Sequence, residues 1–234
     1  MNIKDLENKI INDDCLNILK QLPDKCIDLV LTDPPYGIGR FGNRVELSNR
    51  IDSSAKINKW DKKPALELFN EIFRVSKNQI IWGANNFTLP ESEYFLIWNK
   101  CQTVDNFASA ELAYTNMQIP AKVFTYSIHQ VMQDRKANGG KEHPTQKPVN
   151  LMEWCIRLAD KFIDKNAIIL DCFSGSGTTA VACHNLNRRF ICIEKDYDSW
   201  KASVERLENA KSQLNLFTNT EQPKEEIIEQ AKLF

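Results

Sequence analysis

The sequence predicts an α/β protein: a doubly wound, mostly parallel sheet of seven to eight strands with helices on both faces. Three observations predict it. Short apolar runs rich in β-branched and aromatic residues alternate with amphipathic segments along nearly all of the 234 residues. Two of the runs end in turns of marked chemistry, D-P-P-Y-G at 33–37 and F-S-G-S-G at 173–177. No internal repeat or low-complexity block interrupts the alternation.

In chain order, strands are expected at 9–12, 27–32, 79–83, 94–99, 111–115, 121–127, 167–172 and 189–194. Helices are expected at 14–21, 64–76, 148–163, 177–187 and 198–213. Pro64 and Pro148 suit a first helical turn, where the missing N–H costs nothing. Right-handed crossovers then bring the ends of the parallel strands to one edge, where ligands bind in such sheets. Residues 37–63 and 128–147 read as loops, the first long enough to suggest a functional role. Residues 215–234 read as a tail that closes on a short helical stretch, E-E-I-I-E-Q-A-K-L-F.

A formal net charge of −1, with 42% apolar and 26% charged residues, describes an ordinary globular chain. No signal-peptide pattern and no apolar run of membrane-spanning length is present, so a cytoplasmic protein is expected. Seven cysteines without a C-x-x-C pair are expected to be buried thiols, with neither disulfides nor a metal site. The charge is uneven. Residues 40–63 carry seven basic against three acidic side chains, and residues 122–147 five against two, whereas the last fourteen residues are net −2. The basic excess suits nucleic acid, and it suits a solvated loop equally well.

The stretch A-I-I-L-D-C-F-S-G-S-G-T-T-A passes from strand to helix. Gly175 and Gly177 let the backbone turn tightly and approach a ligand, and the helix that follows offers unpaired N–H groups. Glu194, at the end of the next strand, is placed to accept from ribose hydroxyls. Gly175, Gly177 and Ala180 also satisfy G-x-G-x-x-A with an acid about 20 residues on. From these residues an adenosine-bearing cofactor is expected, and an NAD-dependent dehydrogenase or a plain helix entry stays open.

The other turn has a different chemistry. Proline fixes its own φ and forces its predecessor into an extended shape, so Asp33 is extended and the Pro34 carbonyl points in a set direction. Two acceptors side by side match the two donors of an exocyclic NH₂ group. Tyr36 offers a face on which a base stacks, a contact worth ~1–3 kcal/mol. A rigid turn with an incidental tyrosine is the plainer alternative.

T-D-P-P-Y-G together with F-S-G-S-G-T-T, with H-P-T-Q-K-P between them, resembles the S-adenosylmethionine-dependent DNA amino-methyltransferases, which methylate adenine N6 or cytosine N4. The order, D-P-P-Y first and glycine loop second, is similar to the circularly permuted β group, and the resemblance runs from about Ile10 to about Leu214. It implies a permuted, Rossmann-like methyltransferase sheet in one domain, 1–214, with a catalytic half (1–100), a short target-recognition insert (101–142) and a cofactor half (143–214). Carried across, it assigns Asp33, Pro34, Pro35 and Tyr36 to catalysis on a flipped base. Asp171, Phe173, Gly175, Gly177, Thr178, Thr179 and Glu194 fall to the cofactor, as do His143, Thr145, Gln146 and Lys147 at its methionine end. Asp14 is assigned to the cofactor's adenine, although it also stands where it would cap a helix.

An Asp before P-P-Y is commoner among the adenine-N6 enzymes, so the resemblance implies adenine first and cytosine-N4 as the alternative. A non-catalytic nucleic-acid binder is a more distant one. The implied partner is double-stranded DNA. A homodimer, and a separately acting restriction endonuclease or second methyltransferase, follow from the family. Because 101–142 is short, DNA contacts are expected from Arg40, Arg44, Lys59 and Lys62, from Arg135 and Lys136, or from a second subunit. Trp82 or Asn85 could line the pocket, Trp60 could touch DNA, and His129 reads as a surface residue.

Overall fold

The computed structural model describes residues 2–37, 61–104, 108–137 and 146–220, with 134–137 and 213–220 as backbone only. Among them, eight strands form one sheet: β1 (Lys9–Asn12), β2 (Ile27–Thr32), β3 (Ser76–Trp82), β4 (Phe95–Asn99), β5 (Ala110–Thr115), β6 (Lys122–Thr125), β7 (Ile168–Asp171) and β8 (Arg189–Glu194). Their order is β1-β8-β7-β2-β3-β5-β4-β6. All neighbours pair parallel except β5, which runs antiparallel to both β3 and β4.

Alternation along β2 shows how the sheet is covered. Leu29 and Leu31 face one side, packed with Leu151 and Ile156 of a helix at Val149–Ala159 and with Ala180 and Leu207 of two later helices. Val30 faces the other, packed with Leu19 of α1 (Cys15–Leu19) and with Phe69 and Ile72 of α2 (Leu66–Val75), a cluster that Ile27 joins at the start of the strand. A strand buried on both faces reads as a continuous apolar run, as I-D-L-V-L does. After α3 (Ile128–Ala137), the helices α4 (Val149–Ala159), α5 (Thr178–Asn185) and α6 (Tyr197–Thr220) complete the first layer. No helix among the described residues is long and apolar enough to cross a membrane.

Three expectations need revision. Residues 128–137 are helical, whereas a loop was expected from 128 to 147. The start is a reciprocal capping box: Ser127 Oγ accepts from the Gln130 N–H (3.2 Å) while Gln130 Oε1 accepts from the Ser127 N–H (2.9 Å). The second helix passes into β3 at Ser76 with no loop, so β3 begins three residues earlier than its apolar run suggests. The last helix reaches Thr220 and so takes in the start of the expected tail. Five of the seven cysteines are buried and all are free, but Cys101 is exposed, at the turn after β4. Arg40, Arg44, Lys59, Trp60, His143, Pro144, Thr145 and the segment 221–234 lie outside the described residues.

One guanidinium secures the loopless junction between α2 and β3. Arg74 donates to the carbonyls of Leu19 and Leu22 (both 2.8 Å) and pairs with Asp24 (2.6 Å) and Glu71 (2.7 Å). It thereby satisfies the carbonyl end of α1, whose last C=O groups have no partner within the helix. Arg74→Ala is expected to destabilise the fold by about 2 kcal/mol in urea unfolding, since charged hydrogen bonds to half-buried carbonyls are lost. Lys20→Ala, which removes only an exposed ion pair to Glu67, is expected to leave the urea midpoint where it is in the parent.

Candidate active site

The strand order lines up the ends of five neighbouring parallel strands. From one side to the middle of the sheet they present Asp14 after β1, Glu194 closing β8, Asp171 closing β7, Asp33 after β2 and Gly83 after β3. The antiparallel β5 adds its beginning to the same edge, and there Glu111 stands beside β4, in register with Trp98.

Asp33 is the centre of a compact ionic cluster. Its Oδ2 lies 2.5 Å from Lys147 Nζ and its Oδ1 accepts from the Tyr36 hydroxyl at 2.7 Å. Lys147 Nζ also reaches Glu111 Oε2 at 2.8 Å and the Tyr36 oxygen at 3.1 Å. Lys100 pairs with the other oxygen of Glu111. Lys147 is only 5% exposed and Asp33 20%. Two ammonium groups thus face two carboxylates in a largely dry setting. Burial pushes the Asp33 carboxyl above its ordinary value, with Lys147 pulling against it. Burial also acts on Glu111, but Lys147 and Lys100 outweigh it and take that carboxyl down to about 2. Lys147 is held charged: burial opposes the charge, and the two carboxylates overcome it.

The Tyr36 ring is seated on backbone. A Cβ on Gly83 would lie 2.1 Å from Tyr36 Cε1, and Gly83 has φ +72°, a conformation that glycine adopts without penalty. Phe87 meets the same ring edge-on at 6.1 Å. Tyr36 is therefore half-buried, its hydroxyl turned in to Asp33. Trp82 is fully buried in the core and does not line this edge, whereas Asn85 is exposed.

The glycine turn forms the second part of the edge. Glu194 takes the Gly175 N–H on Oε2 (2.7 Å) and the Asp196 N–H on Oε1 (2.8 Å), and burial raises its carboxyl. Beneath the turn, Asp171 accepts from the hydroxyls of Thr32 (2.7 Å) and Thr179 (2.6 Å) and from the Phe173 N–H (3.0 Å). Burial pushes Asp171 up to about 6 against these donors. Gly177, at φ +76°, lets the first turn of α5 lie against Ser203 of α6, where a Cβ would come within 2.9 Å of that side chain's own Cβ. Arg206 of the same long helix donates to the Ser176 carbonyl and to the Thr178 hydroxyl, both at 3.2 Å. Space is open above Gly175, where an added Cβ would meet nothing nearer than the Phe173 carbonyl at 4.0 Å. Asp14 caps α1 through the Leu16 N–H (3.0 Å) and pairs with Lys195 (2.7 Å).

Of the residues singled out from sequence, the structure gathers Asp33, Tyr36 and Lys147 into one cluster and Asp171, Gly175, Thr179 and Glu194 into another. Pro34 is buried beside the first, and Phe173 packs into the core under the second. Gln146 is half-buried next to Lys147. Lys62 is exposed, as is His129 on α3, where it bonds Gln133. Arg135 and Lys136 belong to α3, with their side chains outside the described residues. Glu111, Lys100 and Arg206 were not singled out. Only the antiparallel register of β5 and the packing of α6 bring them to the site.

A family profile described as "DNA methylase", for N6/N4 methyltransferases, matches residues 62–205, more than half of the chain. The chain belongs to this DNA methylase family. The Haemophilus influenzae protein named Type II methyltransferase M.HinfI is 28% identical over 262 aligned residues, covering 92% of this methylase and 72% of that protein. Among solved structures, the M1.HpyAVI–SAM complex superposes with a TM-score of 0.53 at 22% identity, over 85% of this methylase and 99% of that chain. PvuII DNA methyltransferase (cytosine-N4-specific) superposes with a TM-score of 0.56 at 18% identity, over 90% and 92%. The mostly parallel sheet of this methylase is thus the sheet of known DNA methyltransferases.

Two outcomes test this geometry. Gly83→Ala is expected to expel the Tyr36 ring and to destabilise the fold by ~1–3 kcal/mol, visible by urea unfolding and as loss of the Tyr36–Asp33 hydrogen bond in a structure of the variant. Asp171 holds its proton more tightly folded (about 6) than unfolded (3.8). That contribution to stability is fully present below the unfolded value and is lost as pH rises through the folded one. Between pH 4 and pH 7 the parent is expected to lose ~2 kcal/mol through this group. Asp171→Asn is expected to lack that slope, so its stability relative to the parent rises with pH over this window.

Proposed function

We propose that this methylase transfers a methyl group from S-adenosylmethionine to the exocyclic N6 amine of an adenine flipped out of double-stranded DNA. The observation that carries the proposal is the half-buried, Lys147-paired Asp33 on the same sheet edge as the glycine turn and Glu194. The residues at that turn fit the cofactor. Room above Gly175 admits a ligand to the backbone, and the carboxylates of Glu194 and Asp14 are acceptors for hydroxyl and amino donors. Gly175, Gly177, Thr178 and Glu194 would hold the nucleoside part. Thr179 and Asp171 brace the turn from below, and Gln146 with His143 and Thr145 would meet the amino-acid end. When bound, S-adenosylmethionine supplies an electrophilic methyl group.

The chain's own residues supply the rest. Asp33 accepts one hydrogen bond from the target amine and the Pro34 carbonyl accepts the other, which localises the nitrogen lone pair and aims it. Pro35 keeps this turn rigid, and the Tyr36 ring holds the base. Asp33, raised by burial, is a suitable acceptor for the proton that the amine must shed. Orientation of the two reactants, more than acid–base chemistry, provides most of the acceleration.

Adenine is favoured over cytosine by Asp33 in the first position of the turn, as the resemblance implies. The permuted order and the division into catalytic half, short insert and cofactor half are part of the same reading. Most of the described residues between 101 and 137 belong to β5, β6 and α3, and Glu111 of β5 reaches the Asp33 cluster. DNA contacts therefore fall to the segments carrying Lys62 and Lys136, or to a second subunit.

Incubation of unmethylated plasmid DNA with labelled S-adenosylmethionine, followed by nucleoside mass spectrometry, is expected to yield N6-methyladenine. N4-methylcytosine would reassign the base, and no methylated base would end the proposal. Asp33→Ala is expected to lower transfer by at least ~10³-fold while the cofactor Kd, read by calorimetry, stays within about threefold. NAD is expected not to bind.

A further inference from the structure

In the structure both oxygens of Asp33 are engaged, Oδ1 by the Tyr36 hydroxyl and Oδ2 by Lys147. A target amine that approaches Oδ1 meets the Tyr36 hydroxyl already bonded there and competes with it for that oxygen. We propose that Glu111 is the positioning residue that frees Asp33, by taking over the Tyr36 hydroxyl when the amine arrives. This rests on the methyl-transfer reading above and adds a residue to it.

The hydrogen-bond inventory carries the inference. Lys147 has three N–H donors, and its three short contacts are to Asp33 Oδ2, Glu111 Oε2 and the Tyr36 oxygen. It has no donor left over and is fixed between the carboxylates. The Tyr36 oxygen accepts from Lys147, so its single O–H proton has two places to go. One is Asp33 Oδ1 at 2.7 Å, and the other is Glu111 Oε2 at 3.4 Å. A displacement of well under 1 Å with rotation about the C–O bond exchanges them and leaves no donor unpaired. Glu111 stays an acceptor throughout, because Lys100 and Lys147 keep it ionised. With the O–H on Asp33, Oδ1 shares its electron density with the hydroxyl and is the weaker acceptor for the amine. With the O–H on Glu111, Oδ1 faces the edge and accepts from the amine. Proton count and net charge of the cluster are the same in both arrangements, so binding a neutral amine is enough to choose between them.

The test is a double-mutant cycle on the full chain, read as kcat for methyl transfer to unmethylated plasmid DNA. Wild-type transfer establishes the underlying reaction separately, and its absence would be a failure of that reading rather than of this one. Glu111→Gln is expected to lower kcat at least ~10-fold with the S-adenosylmethionine Kd within twofold. Adding Tyr36→Phe, which removes the O–H that blocks Oδ1, is expected to restore kcat to within about threefold of the Tyr36→Phe single variant. A purely structural Glu111 would give losses that multiply. A ¹⁹F resonance from 3-fluorotyrosine at position 36 is expected to shift when DNA is added to the wild type and to stay put in Glu111→Gln. Where the Gln variant does not fold, Glu111→Asp, which keeps the charge but withdraws it by one methylene, enters the same cycle. Unchanged kcat in the folded Glu111 variant, multiplicative losses, or a ¹⁹F shift that persists without Glu111 would overturn the assignment.

Discussion

A buried ammonium between two carboxylates is the constraint on which this site is built. An isolated charge in such a setting would be prohibitively costly, and Lys147 is tolerated because each of its N–H groups meets an oxygen. The cluster draws on three separate stretches of chain, at 33–36, at 111 and at 147. Assembly of the site is therefore inseparable from correct closure of the sheet. Lys100 completes the arrangement by neutralising the carboxylate that would otherwise be in excess.

The two parts of the edge meet at one seam. Thr32, the last residue of β2, donates to Asp171, the last residue of β7, across the parallel pair. The turn carrying Asp33 and the turn carrying Gly175 are thereby fixed to the same two strand ends. Their separation is set by strand spacing rather than by loop conformation. From the far side, Arg206 on the long last helix holds the glycine turn. Placement of two reactants in line needs this kind of support, because rate falls steeply with small misplacements.

Much of this was legible in the sequence, for reasons that are local. Strands such as Arg189–Glu194 and Lys9–Asn12 matched residue for residue because apolar runs bounded by polar residues fix both ends. The two turns were legible because prolines and glycines announce their geometry. What escaped is non-local. Glu111 reads as one acid in an ordinary strand, and its role depends on β5 running antiparallel, which no periodicity specifies. Lys147 was read with its neighbours in H-P-T-Q-K-P, and only the fold places its ammonium on Asp33. The helix at 128–137 escaped for another reason: its S-x-x-Q start was present, but its weak apolar face and the glycines after it resembled a loop.

The seat of Tyr36 on Gly83 has a consequence for how this sequence can change. The ring fills the volume where a side chain at position 83 would stand, so the two positions accept substitutions only as a pair. A methyl group gained at 83 has to be matched by a smaller or displaced residue at 36, and that in turn alters what Asp33 and Lys147 bond to. In a lineage of such enzymes the two sites would drift together, although 47 residues of chain separate them. A glycine at 83 is in this sense a record of the aromatic ring beside it.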